Sequence, residues 1–124
     1  MLKRTLLSLF ILTLFLNPVG AEISKERQAE ILQLIDEDCS SCHGPNLEGK
    51  IGPPLMQYNL RHLPDEYLFH TIKNGRQNSF MPSWMTLLNK EEIYWIIRWL
   101  KSEDRVPLNS QTIQAPEVPY SPFR

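Results

Sequence analysis

The run Cys39-Ser40-Ser41-Cys42-His43 constrains this chain more than any other feature. Two thiols one helical turn apart, followed at once by an imidazole, can form thioethers with both vinyl groups of one haem while the imidazole reaches the iron. Two rival uses of the same residues fit less well. A thioredoxin-like dithiol expects a βαβ context, and no strand pattern surrounds this motif. A zinc site needs two further ligands, and the remaining histidines, His62 and His70, are separated by seven residues, outside the usual spacing of three to five. With only two Cys, a disulfide scaffold is excluded as well.

The 124 residues allow one small domain. Thirteen Lys and Arg against fourteen Asp and Glu, with no basic block, argue against binding nucleic acid through phosphate contacts. Residues 1–21 read as an export signal. Lys3 and Arg4 precede an apolar run from Leu6 to Leu16, and Val19-Gly20-Ala21 offers small residues for cleavage before Glu22. These eleven residues, nine of them apolar, span about half of a ~30 Å hydrocarbon core, which favours removal over anchoring. Export also suits thioether haem attachment, which belongs to the bacterial periplasm. The expected organisation is a signal at 1–21, a haem domain at 22–104 and a Pro-rich extended tail at 105–124. Charge is uneven along the chain: residues 22–42 sum to −4, residues 43–86 to +1, and residues 87–124 balance.

The helical signals are local and clear. A first helix starts after Ser24 and runs into Cys39, with Ile31, Leu34 and Ile35 at helical spacing. A second opens at Pro64, carries Asp65 and Glu66 in its first turn, and stops at Asn74-Gly75. Tyr67, Leu68, Ile72 and Phe69 are its expected buried side. A third is capped by Asn89, with Glu92 completing a capping box ahead of the stripe Ile93, Ile96, Ile97, Leu100. Glycines and prolines make a loop of Gly44 to Leu63. Three short helices enclose a thin core, and a domain this small usually needs a staple such as a cofactor.

His43 supplies one axial ligand, and Met56, Met81 and Met85 are candidates for the other. Met81 is favoured because Pro82 stiffens its backbone. The ordered set Cys39-Ser40-Ser41-Cys42-His43, Gly52-Pro53-Pro54-Leu55, Met81-Pro82-Ser83-Trp84 and the Glu91-Glu92-Ile93 helix resembles a class I cytochrome c over about Ala29 to Ser102. That resemblance implies an all-α fold with three main helices and loops around one covalent haem c. It implies attachment through Cys39 and Cys42, and His43 and Met81 as axial ligands. It also implies a hydrogen bond from His43 to the Pro53 carbonyl, and Trp99 where the first and last helices cross. Arg27-Gln28-Ala29, Asp38-Cys39, Asn74-Gly75-Arg76 and Leu87-Leu88 are similar to a smaller branch, cytochromes that accompany the haem-c/haem-d nitrite reductase of denitrifying bacteria.

The sequence therefore leads to a monomeric, non-enzymatic, periplasmic electron carrier, free of the membrane after signal cleavage and delivering electrons to a periplasmic redox enzyme such as nitrite reductase. The alternative is an accessory factor in biogenesis of that reductase's second haem. Leu55, Phe80 and Trp84 are expected to wall the haem. Lys50, Arg61, Lys73 and Arg76 are expected to steer its exposed edge to an acidic partner.

Overall fold

A computed structural model describes residues 22–105 and Leu108, and every regular element among them is helical. Helix α1 spans Lys25–Leu34, with the Ser24 hydroxyl accepting from the Arg27 amide as its N-cap. A π-helical turn, Ile35–Cys39, follows, and α2 is Ser40–His43. Helix α3 is Gln57–Leu60, α4 Asp65–Asn74 and α5 Lys90–Lys101. The signal region, and the expected tail beyond Arg105 apart from Leu108, lie outside the described residues. No described helix is long and apolar enough to cross a membrane.

The helix that reaches the cysteines is not continuous α-helix. At its end the Ser40 amide donates to Ile35 five residues back, opening a wider turn. Ser40 Oγ donates to the Asp36 carbonyl, and Ser41 Oγ donates to the Asp38 carbonyl at 2.6 Å. The Ser40 hydroxyl thus supplies a donor to the Asp36 carbonyl, whose usual amide, that of Ser40, is bonded to Ile35 instead. One extra residue rotates everything after it by about 100° around the helix axis. The π-turn therefore decides on which side Cys39, Cys42 and His43 emerge.

Ile31, Ile35, Leu47, Leu60, Leu68, Phe69, Leu88, Ile93, Ile96, Ile97, Leu100 and Leu108 form one buried cluster. The stripe on α5 is as its spacing requires. On α4 the buried side is Leu68 and Phe69, with Ile72 half-buried. Tyr67, expected inside, is exposed, because its hydroxyl accepts from Arg76 Nη2 at 2.5 Å in the loop beyond the helix. Phe69 instead stacks on Tyr94 of α5, with centroids 4.8 Å apart. Leu108 is buried in the same cluster.

One guanidinium joins the two ends of the fold. Arg27 Nε donates to Glu92 Oε1 at 2.7 Å, Nη1 to Glu30 Oε2 at 2.7 Å and Nη2 to the Leu87 carbonyl at 3.1 Å. Glu92 also closes the capping box: its Oε2 accepts from the Asn89 amide at 2.8 Å, while Asn89 Oδ1 accepts from the Glu92 amide. Glu92 is one of two buried polar residues among those described. Burial raises its pKa, but the bonds from Arg27 and Asn89 outweigh burial and hold it below the usual carboxylate value. A lowered folded pKa gives stability that is present above the unfolded value near 4.3 and is lost as pH falls through the folded value. Arg27→Ala leaves a buried carboxylate without its cation. Arg27 is about one-third exposed, so the expected loss is about 1–3 kcal/mol, below the range for fully buried pairs. Urea unfolding at pH 7 should show that deficit, and it should shrink as the pH is lowered through 4.

Candidate haem site

The loop after α2 folds back onto the helix end that carries Cys39, Cys42 and His43. The Gly44 amide donates to Ser40 O, the Gly49 amide to His43 O at 2.7 Å, and the Gly52 amide to Cys42 O at 2.8 Å. Carbonyls that would be orphaned at the end of α2 thus find partners in the loop. Leu47 anchors this loop in the core while holding a left-handed backbone, φ 64°. Such a conformation is strained for a bulky residue and persists because burial and its amide bond to Gly44 O fix it. Sequence reasoning placed a loop here but had no signal for Leu47 as its anchor.

His43 is buried, and its Nδ1 lies 2.7 Å from the Pro53 carbonyl, as the resemblance implied. With Nδ1 as donor, Nε2 keeps its lone pair, and it has no hydrogen-bond partner among the described residues. Gly52 lies against the ring: a Cβ there would stand 2.7 Å from Cε1 and 2.8 Å from Nδ1. Cys39 and Cys42 are free thiols, both half-buried. Burial first, and then neighbouring Asp38, pushes the Cys39 thiol up to about 12, so it is protonated at neutral pH until it is alkylated.

The loop with Met81 is built on the C-terminus of α4. The Trp84 amide donates to Ile72 O at 3.2 Å and Ser83 Oγ to Lys73 O at 2.7 Å, capping the last turn of the helix. The Arg76 amide donates to Met81 O, and the Met81 amide to Ser79 Oγ, both at 3.2 Å. Gly75, at φ 69°, passes so close that a Cβ would meet Met81 O at 2.5 Å and Pro82 C at 2.6 Å. Met81 is half-buried, whereas Met85 is exposed. Met56 is turned to another use, its Sδ accepting from Arg105 Nη2 at 3.4 Å.

The residues expected around the haem and its edge are placed as follows. Phe80 is 90% exposed, whereas Leu55 and Trp84 are half-buried against the core. Of the four expected steering cations, Lys50, Arg61 and Arg76 are exposed and Lys73 is half-buried; Arg76 bonds the Tyr67 hydroxyl and Lys73 Nζ lies 5.8 Å from the centre of the Phe69 ring. His62 and His70 are exposed, with His70 Nε2 3.0 Å from Glu66. No group of three or more His, Cys, Asp or Glu converges as a metal site among the described residues.

Residues 26–100 match the family model described as cytochrome C oxidase, cbb3-type, subunit III. The chain is 35% identical over 95 residues to cytochrome c55X of Stutzerimonas stutzeri, an alignment covering 77% of this chain and 84% of that protein. The chain belongs to the c-type cytochromes. This cytochrome is also 41% identical over 71 residues to cytochrome c55X of Pseudomonas aeruginosa, covering 57% of this chain and 60% of the other. Among solved structures it is similar to the c-type cytochrome NirC, with TM-score 0.65 and 37% identity over 68% of this chain and 99% of that one. It is an all-α, class I cytochrome c whose cofactor is one covalently bound haem c, and its role is electron transfer. The donor set fits that group: two unbonded thiols, an imidazole with an open Nε2, and a thioether on a pinned loop.

Gly52→Ala and Gly75→Ala test the two close approaches separately. Each should lower the stability of the haem-loaded cytochrome by about 1–3 kcal/mol in guanidinium unfolding, one by crowding the imidazole and the other by backbone strain.

Proposed function

We propose that Cys39 and Cys42 hold the haem as thioethers, that His43 Nε2 and Met81 Sδ are its axial ligands, and that the cytochrome works in the periplasm as electron donor to a nitrite reductase. The observation that carries this reading is the His43 ring, fixed through Nδ1 and Gly52 with Nε2 unpartnered, on the same helix end as two free thiols. Bound haem would supply a one-electron ferrous/ferric couple, held by His43 and Met81, and a thioether ligand would raise its potential. The chain supplies geometry: Pro53 orients the imidazole, and Gly75, Ser79 and Ser83 fix the backbone that carries Met81. Ligands held in place on both sides keep reorganisation small when the electron moves.

The cytochrome produced with haem-attachment machinery should stain for haem on a denaturing gel, and Cys39→Ser with Cys42→Ser should not. Met81→Ala should abolish the weak long-wavelength sulfur-to-iron band of the ferric protein, while Met56→Leu and Met85→Leu retain it. Loss of the band in Met85→Leu alone would move the ligand one turn along the chain.

The partner surface follows from what is exposed beside these residues. Ile51, next to Gly52, is 70% exposed, and Phe80, next to Met81, is 90% exposed. Exposed apolar side chains on the loop folded over His43 and on the loop that carries Met81 favour a short-lived apolar contact, with Lys50, Arg61, Lys73 and Arg76 adding charge steering. The relationship to cytochrome c55X and NirC supports a partner in denitrification. In stopped-flow oxidation by a periplasmic nitrite reductase, Phe80→Ala should slow transfer several-fold without changing the potential. Raising salt from 0.01 M to 0.15 M shortens the Debye length from about 30 Å to about 8 Å and should slow it further. Absence of transfer, together with a reductase lacking its second haem in a deletion strain, would favour a biogenesis role instead.

A further inference from the structure

Arg105 lies past the end of α5 and is half-buried. Its Nη1 donates to the Leu55 carbonyl at 3.3 Å and its Nη2 to Met56 Sδ at 3.4 Å, while the guanidinium lies 5.1 Å from the centre of the Trp99 ring. Among the described residues no carboxylate pairs with it. Burial alone lowers its pKa. A cation partly withdrawn from water with a carbonyl, a thioether and an indole for company gains little as a salt bridge would. What it gains is position, because both of its acceptors lie in one short segment.

That segment is the one that orients the imidazole. Leu55 is fixed from the opposite side by its amide bond to Leu47 O at 2.8 Å, and Leu47 is the buried anchor of the loop folded over Cys42 and His43. Only Pro54 stands between Leu55 and Pro53, and the Pro53 carbonyl lies 2.7 Å from His43 Nδ1. Two consecutive prolines have locked φ angles and no amide protons, so the pair acts as a stiff spacer. A displacement at Leu55 is carried to the Pro53 carbonyl rather than absorbed between them.

We propose that Arg105 is a positioning residue for the His43 imidazole, fixing through Leu55, Met56 and the rigid Pro53-Pro54 pair the carbonyl that accepts from Nδ1. This rests on His43 being an axial ligand. The Nδ1 hydrogen bond makes the imidazole a stronger donor and so favours ferric iron. Loosening the carbonyl weakens that donation and raises the potential. Removing the positive charge alone would lower it, so the two effects have opposite signs.

Arg105→Lys keeps the charge but cannot fork between a carbonyl and a thioether; Arg105→Gln removes both. In the reduced, haem-loaded cytochrome, proton NMR follows exchange of the His43 Nδ1 proton with water. Both variants should exchange roughly five- to tenfold faster, as expected when about one net hydrogen bond of tethering is lost. Arg105→Lys should also raise the midpoint potential. Unchanged exchange in both variants overturns the proposal even if thermal stability falls. A wild-type potential in Arg105→Lys with a lowered one in Arg105→Gln also overturns it, since Arg105 then acts only as a charge. Should neither variant accumulate with haem, Met56→Leu removes the thioether acceptor alone, and it should show a smaller acceleration or overturn the proposal by showing none. The same spectra test the underlying assignment: His43 ring protons without the large ring-current displacement of an iron ligand would remove the ligand reading itself.

Discussion

The hydrogen bond between the His43 imidazole and the Pro53 carbonyl is the interaction on which the rest of the site depends. An imidazole that is to present Nε2 must have Nδ1 occupied by an acceptor that cannot move. The chain meets that requirement by turning the segment after His43 back on itself. Amides of Gly44, Gly49 and Gly52 cover the carbonyls at the end of α2, and Leu47 accepts a left-handed backbone to stay in the core. Gly52 has no side chain because the ring occupies the space a Cβ would need.

The methionine side solves a different problem with similar means. Met81 has no helix to hold it, so its loop is bonded to the last turn of α4 through Ser83 and Trp84. The same bonds satisfy the terminal carbonyls of that helix, so capping the helix and fixing the loop are one arrangement. Gly75 completes it by letting two backbones pass at a distance that no other residue allows. Each candidate axial ligand therefore rests against a glycine, one against its ring and one against its backbone.

Holding these two loops in register is the task of the helical frame. Arg27 connects α1 to Glu92 of α5 and to the Leu87 carbonyl, close in sequence to the Trp84 turn. Lys101 at the far end of α5 reaches the Leu63 carbonyl and Asp65 at the start of α4. In a core this small, such polar ties add specificity of arrangement that a dozen buried apolar side chains do not supply alone. Electron transfer benefits from the resulting rigidity, since ligands that stay put need little rearrangement.

Much of this was legible in the residues themselves because its signals are local. Ser24, the Asn89–Glu92 box, Gly75 and the apolar spacing of α5 act within one or two helical turns, and the haem motif is contained in five residues. The pairing of His43 with Pro53 followed from a family pattern of ordered motifs. What only the tertiary structure decided lies between residues far apart in sequence, or in backbone geometry without a side-chain signature. The π-turn at Ile35–Cys39 carries no composition that distinguishes it from α-helix. Tyr67 has the spacing of a core residue, yet a bond to Arg76 nine residues on draws it outward. Arg27 meets Glu92 across 65 residues, and Arg105 meets Leu55 across 50. Periodicity and capping report the energy of a segment with itself and its solvent. Which distant segments meet is set by how all of them pack at once, and no single stretch of sequence contains that information.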